Sequence, residues 1–229
     1  MVRLDESAYS VEPYEGGFVE ELPRILNSNE VLLPGSEHMK VRMKYGEELP
    51  DLKDYHFDTS DLIAYSGKRR GCVKIILTVN NKGEITENGR RDLELINPHT
   101  GWIYEGVALP DFLYDELEGE EIMIEDLDGI GRGLTKDEIS SNRFWRILAR
   151  HPDEVSSEFA EDPNLLGEYF DWVASKTRKA ENMPIFIDKS PGGTKLNNIV
   201  LGSVKDMNSA AVGDTRIGYD YLTKRILRA

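Results

Sequence analysis

The sequence predicts an α+β protein built as one continuous unit: a β-rich, mainly antiparallel part over residues 1–130, a two-helix segment over 135–181, and a β-hairpin with a C-terminal tail over 184–229. Three observations carry this reading. Short apolar or alternating runs, separated by turn residues, fill the first part, and most connections between them are too short for parallel crossovers. At Thr135 the apolar spacing changes to a helical one. After Pro184 it returns to strand-like runs broken by glycine.

The elements follow in order. Met39 to Tyr45 alternates strictly, which predicts a strand with Met39, Val41, Met43 and Tyr45 inward and Lys40, Arg42 and Lys44 outward. The polar stretch EELPDLKDYHFDTSD after it reads as a linker. Val73 to Val79, the turn Asn80-Asn81-Lys82-Gly83 and a return over Glu84 to Glu87 predict a hairpin, because Asn and Gly tolerate the left-handed backbone of a tight connection. Leu93 to Ile96 and Trp102 to Ala108 read as strands joined by NPHTG, and Ile122 to Leu127 as another. Between them Pro110 opens a short helix carrying Phe112, Leu113 and Leu117.

Thr135-Lys136-Asp137-Glu138 matches a capping box. Ile139, Phe144, Ile147 and Leu148 continue at helical spacing until His151-Pro152. Val155 and Phe159 then suggest a short helical turn. The second helix takes Asp162 as N-cap and Pro163 as its first residue, buries Leu165, Leu166, Tyr169, Phe170 and Val173, and ends on Lys176, Arg178 and Lys179, where cations suit the helix dipole. Pro184 to Asp188 and Asn198 to Val204 read as strands about a Ser190-Pro191-Gly192-Gly193 turn. The C-terminal stretch fits either a strand through Ile217, Tyr219 and Tyr221 or a helix through Leu222 and Ile226.

Composition supports a packed, soluble chain. Leu, Ile, Val and Phe make up 60 of 229 residues, above the roughly one-fifth below which highly charged chains stay disordered. No run reaches the roughly 18 apolar residues of a membrane span, and MVRLDESAYS offers no apolar signal-peptide core, so an intracellular, cytoplasmic protein is expected. The single cysteine, Cys72, excludes a disulfide framework within the chain and reads as a small core residue.

Charge is the most informative feature. The chain carries 42 acids and 28 bases, for a net charge of -14, and residues 92 to 131 hold 12 of those acids with no Lys or Arg. Such a one-signed stretch attracts cations and basic surfaces and repels phosphate backbones, and a pI near 4.8 argues against nucleic acid as partner. The expected partners are other protein chains: a second copy of this chain, or a basic protein surface. Glu116, Glu118, Glu120 and Glu121 are the expected steering charges. Trp102 and Trp145, with Trp145 slightly off the apolar stripe of its helix, are the expected interface anchors.

Catalytic motifs are weaker. The histidines His38, His56, His99 and His151 never pair at metal-ligand spacing. If a catalytic centre exists, His99 with Glu105 and Asp111 is its candidate, which would make the chain a carboxylate- or metal-dependent hydrolase. Asp126 to Ile139 resembles a degenerate EF-hand loop, with Asp126, Asp128 and Glu138 as candidate oxygen ligands. Ile130 stands where a third ligand belongs and Glu138 falls one place late, so a glycine-rich turn before a capped helix is the expectation. No cofactor is predicted, and the residual case for a divalent cation rests on those three carboxylates. Lys189 to Lys195 has the residues of a phosphate loop without its order, and reads as a turn. An interaction or assembly protein with an acidic contact region is the preferred reading, and the hydrolase is the alternative.

Overall fold

The computed structural model describes residues 2–4, 9–13, 18–28, 30–69, 71–96, 102–103, 106–189, 191–213 and 223–228. It is an α+β fold organised on one long strand, β4 (His56–Tyr65), in which all ten residues are buried. The second half of β4 lies between antiparallel neighbours, β5 (Cys72–Ile76) and β10 (Lys195–Leu201). Its first two residues pair in parallel with the C-terminal strand β12 (Thr223–Arg228), which also runs antiparallel to β2 (Tyr9–Pro13) and β3 (Val31–Leu32). The hairpin partner of β2 is β1 (Val2–Leu4). Beyond β10 lie β11 (Ala211–Val212), antiparallel, and then β9 (Ile185–Phe186), parallel to β11. The pair β6 (Trp102–Ile103) and β7 (Gly106–Ala108) joins β10 through β7, and β8 (Glu120–Met123) closes the edge beside β5.

Both faces of this sheet are covered, so its strands are apolar on both sides. Ile63, Tyr65, Ile75 and Ile199 face a core completed by α6 (Lys136–Ser141), α7 (Arg143–Leu148) and α8 (Leu165–Thr177). Leu62, Ala64, Ile76 and Leu196 face the opposite side, against Leu22 and Ile25 of α1 (Phe18–Asn27), Leu93 of α4 (Glu87–Glu94) and Tyr114 of α5 (Asp111–Glu116). This is the two-fold alternation of a pleated strand expressed as two cores.

Several expectations hold. The capping box forms, with Thr135 accepting from the Glu138 N–H and Glu138 returning to the Thr135 N–H. α5 starts directly after Pro110, and α8 buries Leu165, Leu166, Tyr169, Phe170 and Val173. The strand expected over Trp102 to Ala108 is instead two short antiparallel strands, β6 and β7, paired Trp102 to Val107 and Ile103 to Gly106. Three details shift: Asn142 interrupts the first helix and caps α7 by accepting from the Trp145 N–H, α8 begins at Leu165 behind Asn164, and Arg178 takes a left-handed conformation just past its end.

Other expectations are corrected. Met39 to Tyr45 is the end of a helix, α2 (Gly35–Tyr45), which buries His38, Met39, Val41, Arg42 and Tyr45. Arg42 points inward, where its guanidinium donates to Tyr169 Oη, Gly202 O, Ser209 Oγ, Tyr55 O and Leu201 O. A buried arginine among apolar residues produced the false alternation. The supposed linker holds α3 (Asp51–Asp54) and the start of β4. Its polar residues lie inside because they are bonded: Thr59 Oγ1 donates to Ile199 O at 2.7 Å, and Asn198 donates to Asp58 at 2.6 Å.

Leu93 belongs to α4, with Leu95 and Ile96 in the turn after it. The hairpin at Asn80 to Gly83 reduces to one bridge, Val79 to Ile85, before Thr86 caps α4. Ile124 to Asp126 is a 3-10 turn that ends β8. Among the described residues β9 and β10 do not pair with each other, each pairing with β11 instead; the C-terminal hairpin is β10–β11, spanning α9 (Val204–Met207). The C-terminal ambiguity resolves to a strand over 223–228, while residues 214–222 lie outside the described ones.

Candidate functional site: an acidic cleft at the sheet edge

The one-signed window does not stay one-signed in space. Arg69, from the basic cluster at 68–70, reaches Asp115 at 3.0 Å and Glu121 at 3.1 Å, and Lys68 lies 3.7 Å from Asp111. Arg143 of α7 meets Glu120 at 3.4 Å and donates to Glu121 O at 2.7 Å. Lys74 is buried and donates to Tyr114 O and Leu117 O, satisfying carbonyls at the end of α5.

A second group of carboxylates gathers in a cleft of about 400 Å³ between α4, the turn from α5 into β8, and the 155–159 segment. Ile75, Ile76 and Leu77 are among the residues that line it. Two glycines set the walls close to β5: a Cβ at Gly89 would overlap Thr78 O, and one at Gly119 would overlap Ile75 O. The third wall is tied back by the Asn80–Gly83 turn, where the Asn81 N–H donates to Glu158 O at 2.9 Å and Asn81 Nδ2 to Ser157 O at 3.0 Å.

Five carboxylates line this cleft, Glu87, Asp92, Glu118, Glu120 and Glu158, and none of its described lining residues is Lys or Arg. Asp92 is the unusual member. Its side chain is fully buried, Oδ1 accepts from Arg91 Nε at 2.8 Å, and Oδ2 has no hydrogen-bond partner. Burial pushes its carboxyl above the ordinary range; Arg91 opposes that shift and the Glu118 charge adds to it. Glu118 Oε2 accepts from Asn88 Nδ2 at 2.7 Å. The arrangement suits a cation: several acceptors over an apolar floor.

The structure distributes the sequence candidates unevenly. Glu118 and Glu120 line the cleft, Glu116 is exposed on α5 beside it, and Glu121 is held by Arg69. Trp145 is fully buried and donates its indole N–H to Met183 O at 2.8 Å, so it is a core residue and offers no surface to a partner. The backbone of Trp102 is in β6; its side chain, His99 and Glu105 lie outside the described residues. Asp111 accepts from Thr194 Oγ1 at 2.6 Å, and Thr194 Oγ1 in turn accepts from the Gly67 N–H, tying two loops together.

Glu138 is taken by Thr135 and by Arg132, at 2.7 Å, which together hold its carboxyl down at about 2. Asp128 is exposed, 3.8 Å from Arg132, and Asp126 is in the 3-10 turn. Among the described residues no group of three or more His, Cys, Asp or Glu is placed to hold a metal ion. Cys72 is buried, with burial pushing its thiol up. Sequence reasoning missed Glu87 and Glu158 as site residues, because only the tertiary fold brings α4 and the 155–159 segment to the same cleft.

No family model matches the sequence, and no curated protein matches it. A solved structure described as "Accommodation of massive sequence variation in Nanoarchaeota by the C-type lectin fold" superposes with a TM-score of 0.54, covering 98% of this chain and 97% of that one at 10% identity. The likeness shows the fold: this chain has a C-type lectin-like α+β architecture. Among the described residues no helix is long and apolar enough to cross a membrane.

Proposed function

We propose that the chain is a non-enzymatic binding protein that receives a basic protein surface at its acidic edge, as an interaction or assembly component. One observation carries the reading: the cleft collects five carboxylates with no Lys or Arg among its described lining residues. Among the described residues, arginines outside the lining compensate Asp115 and Glu121, which lie out of the cleft, and reach the cleft only at Glu120, from Arg143, and at Asp92, from Arg91. The C-type lectin-like fold, which often mediates protein or ligand binding, is consistent with this role. A field of this kind accelerates encounter with an oppositely charged partner and weakens as salt shortens the screening length.

The test uses an oligolysine peptide and a variant with Glu116, Glu118, Glu120 and Glu121 all changed to Gln. A control variant changes the exposed Glu48, Asp54, Asp137 and Glu181 to their amides. The first variant should lose about tenfold in association rate at low salt, and the control much less. Equal losses in the two variants would reduce the edge to a share of the net charge and overturn the reading.

A further inference from the structure

We infer that His56 is an acid-sensing latch: its neutral imidazole holds the connection between β10 and β11 in place, and protonation releases that connection, with α9 in it, while the sheet stays folded. His56 opens β4 and is buried, and its Nδ1 accepts the N–H of Ser203, the residue that caps α9, at 3.2 Å. A backbone N–H can only donate, so Nδ1 carries no proton and the ring is neutral, with its hydrogen on Nε2. A proton on Nδ1 turns the acceptor into a second donor and breaks the bond.

The same stretch already carries a buried cation. Arg42 of α2 donates to Leu201 O and Gly202 O, immediately before Ser203, and to Ser209 Oγ at the other end of α9. Tyr169 Oη of α8 shares that hydroxyl at 2.5 Å. A protonated His56 therefore stands near the Arg42 guanidinium in a desolvated place, where two like charges oppose each other. Burial first, and then Arg42, push the His56 imidazole down; the Asp206 carboxylate of α9 pulls the other way. The remaining charged groups on the elements around it are Lys205 of α9 and Asp51, Lys53 and Asp54 of α3, which packs on α9, while Thr223 of β12 is the register partner of His56.

The connection also depends on its bonds to stay closed. Asn208 and Ser209 hold a left-handed backbone, with φ of 49° and 58°, which residues with side chains rarely adopt. His38, one turn before Arg42 on α2, is the contrasting imidazole: its Nε2 meets Asp58 O at 3.1 Å, and burial with Arg42 holds it down at about 3. It stays neutral in mild acid, which leaves His56 as the sensor. A ring pushed down when latched binds its proton more readily when released, so acid favours release. Below the ordinary imidazole value the release equilibrium grows about tenfold for each pH unit.

The test is amide hydrogen exchange on the intact protein at about pH 7.5 and about pH 5.5, each rate corrected for the intrinsic pH dependence of exchange. Protection at Ser203, Ser209 and Ala210 should fall about tenfold, while that of Lys195 to Asn198 in β10 and of α8 stays within about twofold. His56→Asn keeps an oxygen acceptor for Ser203 and cannot titrate, so its protection at the same three amides should be equal at both pH values. If that variant folds poorly, the unmodified protein still decides. No fall at the three amides, or a fall shared by β10 and α8, overturns the inference, and so does a His56→Asn protein that loses protection in acid as the unmodified protein does.

Discussion

Asp61 and Asp92 are both fully buried carboxylates, and the fold treats them in opposite ways. Asp61, in the middle of β4, has both oxygens bonded: Oδ2 accepts from the Gly35 N–H at 2.7 Å and Oδ1 from Arg150 at 3.3 Å. Arg150 is itself fully buried and also donates to Val79 O. Asp92 has a half-exposed arginine on one oxygen and nothing on the other. Burial pushes both carboxyls up. Where the surroundings answer a buried charge from within, the charge is part of the framework. Where they leave one oxygen without a donor, the charge is a cost the fold carries rather than a part of its framework.

The sharpest way to break this contrast is to remove each carboxylate. Asp61→Ala strands the buried Arg150 charge and should cost about 3–5 kcal/mol in urea unfolding. Next comes the cleft wall: Gly89→Ala forces a methyl group against Thr78 O, so α4 must back away, at about 1–3 kcal/mol. Thr135→Ala removes the cap of α6 and should cost about 1 kcal/mol, which calibrates an ordinary structural contact against the two buried ones.

Glu138 separates partnership from burial, since it is only half-buried yet bonded at both oxygens. With a folded pKa of about 2 against an ordinary 4.5, its contribution is present above the unfolded value and is lost as pH falls from about 4.5 toward 2. Glu138→Gln should therefore flatten the acid limb of the stability profile over that window, read by thermal melts in matched buffers. The smallest effect belongs to Asp92→Asn. Because burial raises the Asp92 carboxyl, its ionised form is unfavourable in the fold, and stability is lost as pH rises through that raised value. At neutral pH the amide should be within about 0.5 kcal/mol of the native chain or more stable. A loss as large as that of Asp61→Ala would make Asp92 a framework residue.

The same contrast explains what could be read in the chain beforehand. Segments with one polar and one apolar side announced themselves: the Thr135–Glu138 cap, the stripe of α8, and the helix behind Pro110. Segments whose polar residues face inward did not. His56 to Asp61 read as a linker because Asp58, Thr59 and Asp61 find their partners at Asn198, Ile199, Gly35 and Arg150, all distant in sequence. Arg42 disguised a helix for the same reason. Of the cleft, Glu118 and Glu120 were legible as charge, but the compensation of their neighbours by Arg69 was not. Neither was the contribution of Glu87 and Glu158, nor the donorless oxygen of Asp92, because each depends on contacts between remote elements.

The most direct measurement of the central claim is an amide chemical-shift map of the whole protein titrated with oligolysine at low salt. A cleft that receives a basic partner predicts the largest shifts at Gly89, Asp92, Glu118 to Glu120 and Ser156 to Phe159, fading together as salt rises. Shifts spread evenly over the acidic surface, or largest around Asp137 and Asp171 on the far helices, would contradict it.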